Sequence, residues 1–150
     1  MTKSIVRWSA AFLSFVLLCS TQIAGAQDRS YVNPSRAGDP GAPFSGAVRT
    51  EDTLYLSGML GLENGQVPSD PRVEARNVLS AIRDTLEEAG MTMDDLVYVQ
   101  IFCSDVAHYD AFNEVYRTFF TQEYPARAFI GAGTLLFNAR FEVQGIAVRR

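Results

Sequence analysis

The chain has little histidine or cysteine: one His, His108, and two Cys, Cys19 and Cys103. That is too few ligands of the preferred types for a zinc centre. It also has no Gly-rich phosphate loop, no GxSxG elbow and no HExxH pair, and Gly131-Ala132-Gly133 lacks the third glycine of a dinucleotide fingerprint. The N-terminal apolar run, Ala10 to Leu18, falls well short of the roughly 20 residues that span a bilayer. Basic excess is missing too. The formal charge is −4, and an acidic chain repels a phosphate backbone, which argues against nucleic acid as a partner.

The N-terminal run has a different use. Lys3 and Arg7 precede it and Ala24-Gly25-Ala26 follows, the pattern of an export signal with a small-residue cleavage site. We therefore expect residues 1–26 to be a signal peptide cleaved after Ala26, with no stable membrane anchor and a secreted or periplasmic product. Lipidation at Cys19 would want a small residue where Leu18 stands. Cleavage removes two basic residues and no acidic one, making the mature chain more acidic, and leaves Cys103 without an intrachain partner. Its setting, Val99-Gln100-Ile101-Phe102-Cys103, suits a buried thiol acting as a small hydrophobe rather than a nucleophile.

What remains reads as one domain. Hydrophobic residues make up 47% of the chain and charged residues 20%, enough apolar material for a core without staples. Residues 27–43, rich in Pro, Gly, Ser and Asn, read as an irregular leader that packs little, with the domain running over 44–150. Ser45 to Arg49 and Leu54 to Ser57 read as a hairpin, followed by a loop from Gly58 through Asn64-Gly65 to Pro68. Asp70-Pro71 caps a helix whose stripe Ala75, Val78, Leu79, Ile82, Leu86 and Ala89 stops at Gly90. A strand over Leu96 to Cys103 and a second helix with Phe112, Val115, Tyr116 and Phe119 on one face come next. Strands near Arg127 to Gly131 and Arg140 to Val148 finish the chain.

The order β-β-α-β-α-β-β, with one apolar stripe per helix, implies an α+β two-layer domain: a mixed sheet with two helices on one face. The last strand alternates Phe141, Val143, Gly145 and Ala147 with Glu142, Gln144, Ile146 and Val148, so the other face mixes apolar and polar residues as an interface would. Taken alone, Arg127 reads as half of a surface ion pair, Glu142 as an exposed strand residue, Asn113 as a polar helix position and His108 as a cap-region surface residue.

Longer motifs change that reading. Tyr124-Pro125-Ala126-Arg127-Ala128-Phe129, followed by Phe141-Glu142-Val143-Gln144-Gly145-Ile146-Ala147-Val148-Arg149-Arg150, resembles the C-terminal signature of the RidA/YjgF family. The resemblance extends to Leu56-Ser57-Gly58, Leu86-Glu87-Glu88-Ala89-Gly90, Phe112-Asn113-Glu114-Val115-Tyr116 and Phe119-Phe120, and covers Pro43 to Arg150. It implies a chorismate-mutase-like fold, a homotrimer with clefts between subunits, no cofactor, and hydrolysis of reactive imino and enamine acids to 2-oxo acids and ammonia. It also implies Arg127 as the substrate-carboxylate arginine, whose planar fork suits bidentate binding, and Glu142 as the acid that orients water. Asn113, Ser57 and Gly58 align with ligand-facing positions. The spacing of Arg127 and Glu142 would let their strands run as neighbours, with both side chains in one cleft.

Three positions depart from the pattern. Phe44 lacks the hydroxyl of a common family tyrosine, Phe129 is larger than the usual residue, and Met59 stands where Gln is usual, so the substrate-binding pocket is expected to be more apolar. An exported deaminase would also need imines made outside the cytoplasm, for which oxidative deamination of amino acids is one source. The competing reading is a non-catalytic trimer that binds small carboxylates or protects other proteins. A purely structural role for the motif leaves a retained arginine and glutamate unexplained. A tagged full-length chain should be recovered outside the cytoplasm; recovery in the cytoplasm would remove the basis for export.

Overall fold

In the computed structural model, residues 28–33 and 41–150 are described; the expected signal peptide lies outside them. Helix α1, Pro71–Glu88, begins where the sequence places it. The Asp70 carboxylate accepts the Arg72 N–H at 2.8 Å, and Pro71, with no N–H to leave unpaired, occupies the first turn. It ends in a paired closure: the Gly90 N–H donates to Glu87 O at 2.9 Å and the Met91 N–H to Leu86 O at 2.8 Å. Gly90 has φ of +68°, a conformation that costs other residues more, and the turn buries Met91.

Among the described residues, six strands form one sheet in the order β1-β2-β3-β6-β4-β5. They are β1 (Arg29–Val32), β2 (Ala47–Thr50), β3 (Thr53–Leu60), β4 (Leu96–Cys103), β5 (Ala126–Gly131) and β6 (Phe141–Val148). Only β4 and β5 run parallel; the other neighbours are antiparallel. Helix α1 and the short α2, Tyr109–Tyr116, cover one face. That face supplies Leu54, Leu56, Ile101, Phe141, Val143 and Ala147 to a core shared with Leu79, Ile82 and Phe112. The rings of Phe112 and Phe141 meet with centroids 4.8 Å apart, docking α2 on the start of β6. Among the described residues no helix covers the opposite face, and none is long and apolar enough to cross a membrane.

Three expectations need correction. The leader is not wholly irregular: Arg29–Val32 pairs with β2 and buries Val32, while Asn33 Oδ1 accepts the Gly46 N–H at 3.0 Å. Backbone pairing to an open edge needs no strong side-chain pattern, so composition hid it. Strand β3 runs past Gly58 to Leu60 by means of an irregularity between Leu56 and Met59 that accommodates an extra residue. The second helix stops at Tyr116, and Arg117–Phe119 tightens into a 3₁₀ turn.

One buried charge fastens this arrangement. Glu74 in the first turn of α1 has no solvent exposure. Its Oε1 accepts the Arg140 N–H at 2.6 Å and the Phe141 N–H at 3.2 Å, and its Oε2 accepts Arg140 Nη1 at 2.7 Å. Arg140 also donates to Pro68 O and Ser69 O. The pair thus ties the entry of α1 to the first residues of β6, and removing one partner would leave the other charge uncompensated. Glu74→Ala should cost about 3–5 kcal/mol of stability in denaturant unfolding; a loss under about 1 kcal/mol would show that this carboxylate is not what holds the junction.

Candidate functional site

Arg127 and Glu142 stand on opposite faces of the sheet, each with its own neighbours. The first group surrounds Arg127. Strand β5 places Arg127 opposite Val99, on the helix-facing side, where its Nη1 donates to Asn113 Oδ1 at 2.7 Å. The guanidinium lies over the Tyr116 ring at 4.7 Å and near the Tyr109 ring at 5.8 Å, with Nη2 3.5 Å from the Tyr109 hydroxyl. Phe129, two residues along β5, packs edge-on against Tyr109 at 5.0 Å and against Phe112 at 5.7 Å. The apolar wall expected of Phe129 is therefore beside the arginine. Asn113 is 5% exposed and its carbonyl is committed to Arg127, so it acts through the guanidinium.

Tyr109 and Tyr116 were not singled out as site residues from the sequence, although a signal was there. Tyr109, Asn113 and Tyr116 follow helical spacing and so share one side of α2, the side that meets β5. Reading Tyr116 only as part of an apolar stripe conceals that its ring supports a cation. Its hydroxyl is buried with no hydrogen-bond partner among the described residues, and burial pushes its pKa up to about 12, against the opposing pull of the Arg127 charge.

The second group is on the uncovered face. Glu142 sits between Phe141 and Val143, both turned into the core, and so points the other way. It packs onto Gly58: a Cβ there would come within 2.1 Å of Glu142 Oε1, so the glycine leaves the space that the carboxylate fills. No hydrogen-bond partner of the Glu142 carboxylate is found among the described residues, leaving it open to solvent or ligand. Nearby, Gln144 Nε2 donates to Gln100 Oε1 at 3.0 Å. Ser57 is less free than expected, since its hydroxyl donates to Ser45 O at 2.7 Å and its N–H to Gly46 O at 3.0 Å. Phe44 is 58% exposed.

The expectation that the strands of Arg127 and Glu142 run as neighbours is overturned. Strand β4 lies between β5 and β6, pairing Val99 with Arg127 and Phe102 with Glu142. Two strand spacings separate them by roughly 10 Å across the sheet, and three residues by roughly 10 Å along it, besides the opposite facing. Sequence spacing could not reveal the intervening strand. Met59 is likewise no pocket residue: it is buried against α1, with Thr85 Oγ1 3.7 Å from its sulfur. Cys103 is buried as expected. Its thiol donates to Asp105 O at 3.0 Å, and burial raises its pKa, lowering the thiolate fraction below that of a free cysteine.

Among the described residues, no group of acidic, histidine or cysteine side chains is arranged to hold a metal ion. Known proteins resemble this arrangement. A family model described as endoribonuclease L-PSP matches residues 35–149. A protein of Dermatophagoides farinae named 2-iminobutanoate/2-iminopropanoate deaminase is 36% identical over 115 residues, which are 75% of this chain and 90% of that protein. The crystal structure of the E. coli YjgF gene product superposes with a TM-score of 0.75 at 27% identity, covering 81% of this chain and 99% of that one. E. coli TdcF, crystallised with bound serine, gives 0.75 at 25% identity with the same coverage.

The orphaned Tyr116 hydroxyl generates a prediction in two parts. At neutral pH, Tyr116→Phe should leave stability unchanged or slightly higher, because the hydroxyl it deletes is buried without a partner among the described residues. In the folded chain the phenol ionises near 12, above its ordinary value of 10.0, so its contribution is complete below pH 10 and is lost as pH rises through 12. Urea unfolding from pH 9 to 12 should therefore show a shallower alkaline decline for Tyr116→Phe than for wild type; parallel declines would mean that Tyr116 ionises as freely folded as unfolded.

Proposed function

The chain belongs to the RidA/YjgF family, described by its model as endoribonuclease L-PSP, and on that footing we propose that it hydrolyses 2-imino and enamine acids to 2-oxo acids and ammonia. The observation that carries this reading is the Arg127 guanidinium, fixed by Asn113 on one edge and Tyr116 on one face, with donors left to grip a small carboxylate. The deaminase name of the 36% identical relative points to the same substrate class, and the serine bound to the TdcF relative is a small amino acid of similar size. RNA cleavage is the poorer reading, given the negative charge and the single histidine.

Because Arg127 and Glu142 face opposite sides of one sheet, the reaction site in this proposal lies between copies. Arg127 of one copy binds the carboxylate, and Glu142 of a neighbouring copy in a homotrimer meets the imine. Water oxygen bonds to the imine carbon as the C=N π pair moves to nitrogen; Glu142 takes a proton from the water and returns it to that nitrogen. The carbinolamine then expels ammonia as its C–OH becomes the carbonyl of the 2-oxo acid. Gly58 would serve this step by leaving the Glu142 carboxylate its room. The N-terminal pattern of residues 1–26 supports this chemistry taking place outside the cytoplasm.

A binding-only reading has one observation in its favour: the Arg127 group is complete in a single chain, whereas Glu142 is out of its reach. An amino acid oxidase supplying imines, with semicarbazide trapping what is not hydrolysed, separates the two. Protein starting at Gln27 should deplete the trapped imine. Arg127→Ala should lower kcat/KM by about 10- to 100-fold through lost carboxylate contacts, and Glu142→Gln should lower kcat by about 100-fold or more while ligand still binds. Co-assembly of the two variants should restore about a quarter of wild-type activity if pairing at a head-to-tail interface is random. No wild-type turnover would leave the binding-only reading, and no restoration would remove the shared site.

A further inference from the structure

The Arg127 group contains a hydrogen-bond donor that the mechanism above does not use. Tyr109 opens α2 and is 44% exposed. Its ring is steadied edge-on by Phe129 at 5.0 Å, which aims the hydroxyl at the guanidinium. The Nη2 to hydroxyl separation of 3.5 Å is beyond the 2.7–3.2 Å of a strong bond, so the phenol is near the arginine without being locked to it. A phenol that accepts weakly from Nη2 keeps its own O–H free to donate, and no acceptor for that proton is found among the described residues.

The arginine is engaged unevenly. Among the described residues, Asn113 occupies one donor of Nη1 in a part-buried contact, whereas the Nη2 end carries only the loose Tyr109 contact. A carboxylate that takes up the Nη2 donors therefore arrives beside the Tyr109 hydroxyl. We propose that Tyr109 is a substrate-binding residue of this site, its phenol O–H donating to a carboxylate oxygen held by Arg127, so that the chain prefers 2-oxo and 2-imino acids over their uncharged amides. Phe129, lying against the same ring, limits how far the phenol can swing and so couples the width of the apolar wall to carboxylate recognition. This rests on the carboxylate-binding role of Arg127 and not on turnover.

The test is calorimetric binding of 2-oxobutanoate and 2-oxobutanamide to the chain from Gln27, comparing wild type with Tyr109→Phe, which keeps the ring and its contact with Phe129. A charge-assisted hydrogen bond lost from the bound state should weaken 2-oxobutanoate roughly tenfold or more and leave the amide within about twofold. In the imine assay the same variant should raise KM with kcat nearly unchanged. Equal 2-oxobutanoate affinity in both proteins overturns the role of Tyr109 alone. An equal loss for acid and amide assigns the phenol to packing and overturns it as well. If wild type binds 2-oxobutanoate but does not turn over imines, the hydrolytic reading fails while the Tyr109 result stands; no wild-type binding of the oxo acid overturns the Tyr109 role together with carboxylate binding by Arg127.

Discussion

The architecture depends on a carboxylate with no access to water. Glu74 belongs to a helix that a sequence reader would expect to present only apolar residues inward, yet it accepts the backbone N–H groups of Arg140 and Phe141, at the entry to β6, and the Arg140 side chain. A buried ion pair is weak support for stability in general, because desolvation offsets the attraction. Here the backbone donors add direction. They set the axial position of β6 against α1, and the next residue along β6 is Glu142, so the charge inside the fold fixes where the charge outside it stands.

The same strand illustrates how a sheet divides labour between its faces. Phe141, Val143 and Ala147 fill the core, while Glu142, Gln144 and Ile146 look outward, because successive residues of a strand point to opposite sides. Strand β5 is used from the other side: Arg127 and Phe129 turn toward α2 and meet aromatic residues there. On the helix side, the Arg127 guanidinium stands at the sheet edge, where β5 leaves it partly in contact with solvent.

Much of this was legible beforehand for identifiable reasons. Helix α1 announced itself through Asp70-Pro71, a stripe of helical period and Gly90, all local signals. The α+β layering followed from single-sided helices, and the alternation in β6 separated Glu142 from the core residues on either side of it. The failures concern long-range order. The insertion of β4 between β5 and β6 leaves no trace in the residues separating Arg127 from Glu142. Strand β1 is held by an open edge rather than by its own pattern. Met59 was misplaced because the irregularity after Leu56 shifts which residues of β3 face inward, and the buried role of Glu74 needed a partner 66 residues away.

The uncovered face of the sheet has a consequence for how this chain can change over generations. Tyr55, Tyr98, Phe102 and Ile146 share it with Glu142, so a protein surface laid across these side chains would also meet the carboxylate. In the proposed trimer, association and the chemistry assigned to Glu142 would be written in the same few side chains. Drift in one constrains drift in the other, and a substitution selected for tighter packing there would alter the surroundings of an acid that the core beneath it does not sense.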